Sequence, residues 1–297
     1  MSDPIPTPRT VEEYLAALRA AFGSADRALV QDALYDAEEY LRTELANRPG
    51  QDQAAVLTEM VGSYGAPEEV AAAYRQTELT VQRALTTPRP EPRASLLGRL
   101  FAVYSDPRAY GALFYMLLSL VTGTFYFGWA VVGGTLSLGL LVLIIGVPFL
   151  VLFLASARMF SLLEGRVVEV LLGVRMPRRP VYAQQLPLLA RIGALLKDRR
   201  TWSTLLYMVL MMPLGTLYFM VAIVGVCLPL ALVVTPVVGL FAGSGDGWFR
   251  IDDIVLDWPA VLLLLPLGVL GLTLTLQLAR GIGRLHGQLA RALLVEA

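Results

Sequence analysis

The sequence predicts an all-α protein in two parts: an N-terminal cytoplasmic small helical bundle, and a four-helix transmembrane domain built from a duplicated two-span unit. Three observations lead there. At 56% hydrophobic and 16% charged residues, the chain is far more apolar than soluble proteins, which run near ~45–50% and ~25%. The apolar excess lies beyond about Tyr110, in long uncharged runs, whereas the chain before Thr87 is polar and acid-rich. The apolar part also repeats itself. A formal net charge of zero therefore hides an acidic head, with Glu12, Glu13, Asp36, Glu38, Glu39, Glu68 and Glu69, and a basic remainder.

The head is expected over residues 1–85 as three or four helices. Thr10–Phe22 opens on Thr10 with Glu13 three residues on, a capping box, and carries the stripe Tyr14, Leu15, Leu18 and Phe22. Ser24–Ala46 follows, with Leu29, Ala33, Ala37, Tyr40 and Leu41 at helical spacing and Glu38, Glu39 and Arg42 on the open face. Gln51–Tyr64 is closed by Gly65, and Pro67–Gln76 starts on a proline with Glu68 and Glu69 in the first turn, where the helix dipole favours acids. The opening residues MSDPIPTPRTVEEYL lack the basic start and apolar core of a secretory signal, so the head is expected in the cytoplasm. Residues 86–99 contain TTPRPEPRA, a proline-spaced, semi-rigid linker.

A spanning helix needs ~20 apolar residues to cross ~30 Å of hydrocarbon. Ala112–Val132 and Leu136–Ala157 qualify, with a break at Gly133–Gly134, as do a run from Ser203 to about Ala242 and Ala260–Ala279. Tyr115-Met116, Gly123-Thr124 and Tyr126-Phe127 recur as Tyr207-Met208, Gly215-Thr216 and Tyr218-Phe219 at an offset of 92. Asp106, Arg108 and Tyr110 recur as Asp198, Arg200 and Trp202. Gly146-Val147, Ala157-Arg158 and Gly165 recur as Gly268-Val269, Ala279-Arg280 and Gly287 at an offset of 122, so the second copy carries 30 extra residues. The copies are expected at 104–174 and 196–295 within a membrane domain of 100–297.

Residues Ser203–Ala242 could hold two helices, with 226–242 as a fifth span or re-entrant segment, whereas the repeat and the placement of charge favour four spans. Arg99 and Arg108 precede the first, Arg158 to Arg200 lie between the second and third, and Arg280, Arg284 and Arg291 follow the last. Four spans put every basic segment, and both termini, on the cytoplasmic side of a bacterial inner membrane. Val226–Pro259 is then an extracytoplasmic excursion lying against the membrane or the bundle. The expected spans hold no Asp, Glu, Lys or Arg away from their ends, which argues against an ion or proton pathway. Arg158–Gly173 and Arg280–Leu294 are expected to leave the membrane as amphipathic interfacial helices.

Few residues suggest chemistry. The single histidine, His286, is expected on the surface of the last interfacial helix, and with one cysteine, Cys227, it anchors no zinc site. Asp246, Asp252, Asp253 and Asp257 offer the oxygens Ca²⁺ takes, but not at EF-hand spacing. Their expected role is topology, in the segment best placed for an external ligand. Gly123, Tyr126, Phe127, Trp129, Gly215, Tyr218 and Phe219 are candidate ligand or packing residues; aromatic belt or core packing is the simpler reading, with the glycines permitting close helix approach. No nucleotide loop, catalytic triad, metal cluster or dinucleotide fingerprint occurs, so neither an enzyme nor a cofactor is expected. Nucleic acid is excluded as a partner of the acidic head.

Tyr14-Leu15, Leu18, the acidic run Asp36–Tyr40, and Gly65-Ala66-Pro67-Glu68-Glu69 with Ala71 and Tyr74 make residues 10 to 80 resemble the HAAS signalling domain, a helical module of bacterial membrane proteins. Many of its members carry a histidine where Tyr40 stands. Asp106-Pro107-Arg108 with Tyr110, the stretch Gly123-Thr124 to Phe127, and Asp198 to Trp202 make residues 100 to 296 similar to a sensor domain of bacterial membrane proteins, often found ahead of a histidine kinase. No kinase follows before Ala297, so output is expected through the head or a separate protein. These resemblances imply a membrane signalling protein that senses an envelope state or apolar ligand. Its head would dock through Glu38, Glu39, Glu68 and Glu69 on a collar of Arg158, Arg178, Arg179, Arg199, Arg200 and Arg284. Expected partners are membrane lipids and a cytoplasmic regulatory protein or another membrane subunit, and a homo-oligomer is compatible with the pattern. The rival readings are a structural or assembly subunit and a transporter or lipid-handling protein.

Overall fold

The computed structural model describes residues 8–85, 96–142, 146–177, 193, 195–242, 249–251, 254–256 and 258–295. The linker Thr86–Ala94, the collar residues Arg178 and Arg179, and the acidic loop residues Asp246, Asp252, Asp253 and Asp257 lie outside them.

The head forms α1 (Val11–Phe22), α2 (Arg27–Asn47), α3 (Gln53–Tyr64) and α4 (Pro67–Leu85). Thr10 caps α1 by accepting the Glu13 amide at 3.1 Å, while the Glu13 carboxylate accepts from Arg9 N at 2.7 Å. The cap of α2 is Asp26, which accepts the Ala28 amide. Tyr14, Leu18, Phe22, Leu29, Ala33, Ala37, Leu41, Leu57, Met60 and Ala71 bury together as one core. Tyr14 donates to the Gly65 carbonyl at 2.9 Å, tying α1 to the turn before α4. Tyr74 donates to Asp36 at 2.8 Å, tying α4 to α2. Burial raises both phenols above the ordinary tyrosine range. Helix α4 runs well beyond Gln76, the end expected from sequence, because no breaker intervenes before Leu85.

A short helix α5 (Leu96–Phe101) and a 3₁₀ turn lead to the membrane domain of α6 (Pro107–Leu140), α7 (Gly146–Leu172), α8 (Arg199–Ala242) and α9 (Trp258–Leu294). All four carry stretches long and apolar enough to cross a membrane. A two-stranded antiparallel hairpin, β1 (Phe249–Ile251) and β2 (Ile254–Leu256), joins α8 to α9. The most extensive packing is α6 on α8, followed by α8 on α9 and α6 on α7. A Cβ on Gly123 would collide with the Met211 carbonyl, and one on Gly215 with the Ser119 carbonyl. The two first helices of the hairpins therefore cross at backbone contact.

Three boundaries differ from expectation. Helix α6 does not stop at Gly133–Gly134, because the missing side chain at Gly133 is filled by the Phe153 ring, and a glycine inside a packed apolar helix costs only ~1 kcal/mol. The turn comes later, so the second membrane helix is Gly146–Leu172 rather than Leu136–Ala157. Arg158–Gly173 and Arg280–Leu294 are not separate interfacial helices but the ends of α7 and α9. Of the expected excursion Val226–Pro259, residues 226–242 instead continue α8. Helix α8 has 44 residues against 34 in α6, and α9 has 37 against 27 in α7, all of the excess at the ends joined by the β-hairpin. At ~1.5 Å per residue the second hairpin reaches ~15 Å further than the first.

Candidate functional site

The ends of the bundle nearest the head are built reciprocally. Asp106 caps α6 by accepting the Arg108 amide at 3.0 Å, and Asp198 accepts the Arg200 amide at 2.9 Å at the start of α8. Each aspartate also takes an arginine from the other hairpin: Arg280 of α9 reaches Asp106 at 3.3 Å, and Arg158 of α7 pairs with Asp198 and donates to Thr201. Arg158 is thus engaged within the membrane domain and not with the head.

Between these pairs, four tyrosines converge on one acid and one histidine. Glu164 of α7 and His286 of α9 are each 1% exposed. Tyr115 of α6 and Tyr207 of α8 donate to Glu164 Oε1 at 2.7 and 3.0 Å, and Tyr126 donates to Oε2 at 3.1 Å. The same two hydroxyls lie 2.6 and 3.0 Å from His286 Nε2, and Tyr218 lies 3.4 Å from Nδ1. Tyr115 and Tyr207 are 3.5 Å apart. The partners come from all four membrane helices. Buried polar networks of this kind are costly unless every member is satisfied, and then they fix one arrangement of the elements that supply them.

The chain leaving α7 packs against this cluster. Gly173, at φ +68°, ends the helix in the left-handed conformation that favours glycine. Val174, Arg175 and Met176 follow. A Cβ on Gly287, next to His286, would fall on Val174, and one on Gly165, next to Glu164, would lie 3.3 Å from Met176. Met176 is fully buried with Tyr115, Tyr126 and Tyr207. Arg175, between the two, points to the head: it pairs with Glu78 of α4 and with Asp32 of α2 at 3.2 Å. A second bridge joins Arg291 of α9 to Asp26 at 2.8 Å. The first set of pairs is largely shielded from water, and hydrogen bonds between charged groups contribute about 1.5–3 kcal/mol.

Of the residues singled out from sequence, Tyr126 and Tyr218 enter the cluster, and Gly123 and Gly215 lie at the α6–α8 crossing. Phe127 and Phe219 are half-buried, while Trp129 donates to Ser156 and packs edge-on to Phe160. Glu38 pairs with Arg42 inside the head; Glu39, Glu68 and Glu69 are exposed, and Glu69 accepts the Ala66 amide. Arg199 and Arg284 are exposed and Arg200 is buried. Among the described residues, the head acids that pair with arginines of the membrane domain are Asp26, Asp32 and Glu78.

His286 is the plainest correction. It is a buried member of a network and not a surface residue, because the apolar face of α9 continues past Arg280 and the tyrosines satisfy both ring nitrogens. Glu164 is the residue sequence reading missed: the second span was expected to end at Ala157 and to hold no charged residue away from its ends, whereas α7 runs to Leu172 and carries this acid inside it. A signal was present: Glu164 and His286 precede Gly165 and Gly287, which recur at the same offset, so an acid and a base stand at matching positions.

No curated protein and no solved structure matches the chain significantly. Residues 115–294 match the family model described as "Putative sensor", a span that takes in all six residues of the cluster and Arg175. The chain therefore belongs to this sensor family, as a multi-pass member with four candidate membrane helices.

Proposed function

We propose that the protein is a non-catalytic signalling protein of the bacterial inner membrane. In this reading the tyrosine–Glu164–His286 cluster holds the four membrane helices in one arrangement, and the head reports that arrangement to a cytoplasmic protein partner. The observation that carries it is the position of Arg175. Its neighbours Val174 and Met176 pack on the glycines adjoining His286 and Glu164, while its side chain holds Asp32 and Glu78 of the head. A change in the cluster thus has a contiguous route, one residue long on either side, to the bridge that docks the head.

Other observations support parts of this reading. The likeness of residues 10 to 80 to the HAAS module favours a partner-binding head. Arginines crowd the end of the bundle that meets the head, and the positive-inside tendency makes that end, and both termini, cytoplasmic. The exchanged pairs Arg158–Asp198 and Arg280–Asp106, with the exchanged contacts at Gly123 and Gly215, support descent from a duplicated two-span unit. The apolar outer faces of the four helices suit lipid contact.

The test is amide hydrogen exchange on the full chain in lipid nanodiscs. The α2–α4 face around Asp32 and Glu78 should exchange faster in Arg175→Ala and also in Glu164→Gln, which leaves the head untouched. Faster exchange in Arg175→Ala alone would remove the relay. Because Glu164 and His286 sit inside membrane helices, proton or solute flux in proteoliposomes is the discriminating control. Flux abolished by Glu164→Gln would favour transport instead.

A further inference from the structure

The buried cluster closes with a definite number of hydrogens. Tyr115, Tyr126, Tyr207 and Tyr218 each bring one hydroxyl hydrogen, and a neutral His286 brings one N–H. With that hydrogen on Nε2, every donor finds an acceptor. Tyr115 and Tyr207 donate to Glu164 Oε1, Tyr126 to Oε2, His286 Nε2 to the oxygens of Tyr115 and Tyr207, and Tyr218 to Nδ1. One negative charge remains, on Glu164. A further proton turns an acceptor of the cluster into a donor. On His286 Nδ1 it reverses the bond with Tyr218, whose hydroxyl hydrogen then loses its acceptor; on Glu164 it weakens the charge-assisted bonds from Tyr115, Tyr126 and Tyr207. Either uptake removes the net charge and weakens the hold of the cluster on tyrosines of α6 or α8.

We infer that the ligand of this site is a proton, taken up by the Glu164–His286 pair, and that its binding loosens the cluster and undocks the head. The inference rests on the proposed relay and names its signal. The groups facing Glu164 are Tyr115 and Tyr126 from α6 and Tyr207 from α8; those facing His286 are Tyr115, Tyr207 and Tyr218. Among the described residues neither partner set includes an arginine or lysine, so hydroxyl donors hold the charge on Glu164. A proton added to the carboxylate weakens those charge-assisted bonds. The cluster lies against Val174 and Met176, beside the head, so the proton comes from the cytoplasmic side.

The experiment uses the full chain in nanodiscs with Cys227→Ser, spin labels at Ala55→Cys and Arg284→Cys, and distance distributions from about pH 8 to about pH 5, above the ordinary carboxylate range. The undocked-to-docked ratio should rise with acidification, by up to tenfold per pH unit, the limit for one proton. Glu164→Gln and His286→Gln should flatten that response. Tyr218→Phe keeps the packing but removes the hydroxyl that donates to neutral Nδ1, so it should move the midpoint to higher pH. A flat wild-type response overturns the inference. So does a slope unchanged in both Glu164→Gln and His286→Gln, which would assign the titration to Asp26, Asp32 and Glu78. So does a midpoint that neither Tyr218→Phe nor Tyr126→Phe moves. If Arg175→Ala fails to undock the head at any pH, the relay itself is wrong, an outcome separate from those.

Discussion

The α6–α7 and α8–α9 hairpins are built from the same parts and differ in two places. Each begins on an aspartate cap, each sends an arginine to the other's aspartate, and each gives two tyrosines to the buried centre. At the matching centre position, however, one carries Glu164 and the other His286. At the far end, the second hairpin is ten residues per helix longer (44 against 34, and 37 against 27). Two like groups at the centre would leave either a doubled charge or a surplus of donors. An acid opposite a base lets every hydroxyl close on a partner. In the proposed reading the difference between the halves is where responsiveness lies, and their sameness is what holds the bundle together.

Breaking the difference should cost most. Glu164→Leu removes the acceptor shared by Tyr115, Tyr126 and Tyr207, at about 1–3 kcal/mol for each buried donor left unmet. Thermal unfolding in detergent should register a loss larger than for any other single change at the cluster. A variant as stable as wild type would mean that water already serves these hydroxyls. Breaking the sameness at the crossing comes next. Gly215→Val forces a side chain into the Ser119 carbonyl, and overpacking of this kind costs about 1–3 kcal/mol. Gly128→Ala, with nothing near its Cβ, should be close to neutral. Equal melting temperatures for the two variants would contradict the backbone contact. The smallest effect belongs to the exchanged salt bridges. They are about one-third exposed (29% and 37% for Arg158 and Asp198), so Asp198→Asn and Asp106→Asn should each cost at most ~1 kcal/mol. Their losses should also be alike, and a marked inequality would show that the ends are not equivalent.

Much of this was legible in the residues. The head helices, the number of membrane helices and their crossing glycines follow from period, length and small-residue spacing. The register of α7 did not, because Gly133–Gly134 reads as a break when the Phe153 ring that fills the gap is unseen. That misplacement pushed Glu164 outside the membrane helix and hid the cluster. His286 and Arg175 were illegible for a different reason. A lone histidine or arginine at a membrane boundary reads as solvated until tertiary packing supplies its partners. The acids of the head were read from the densest runs, Glu38–Glu39 and Glu68–Glu69. Among the described residues the pairs to arginines of the membrane domain fall on Asp26, Asp32 and Glu78, which are scattered along the chain and gathered by the packing of α2 and α4.

The central claim is that the cluster and the head bridge are one coupled device, and a double-mutant cycle measures that coupling. The docked fraction of the head, read from the same spin-label pair at neutral pH, is compared for wild type, Glu164→Gln, Arg175→Ala and the double variant. If the cluster acts through Arg175, the double variant should undock no further than Arg175→Ala, with a coupling energy of about 0.5–3 kcal/mol, the range for residues sharing one network. Strict additivity of the two single effects would contradict it.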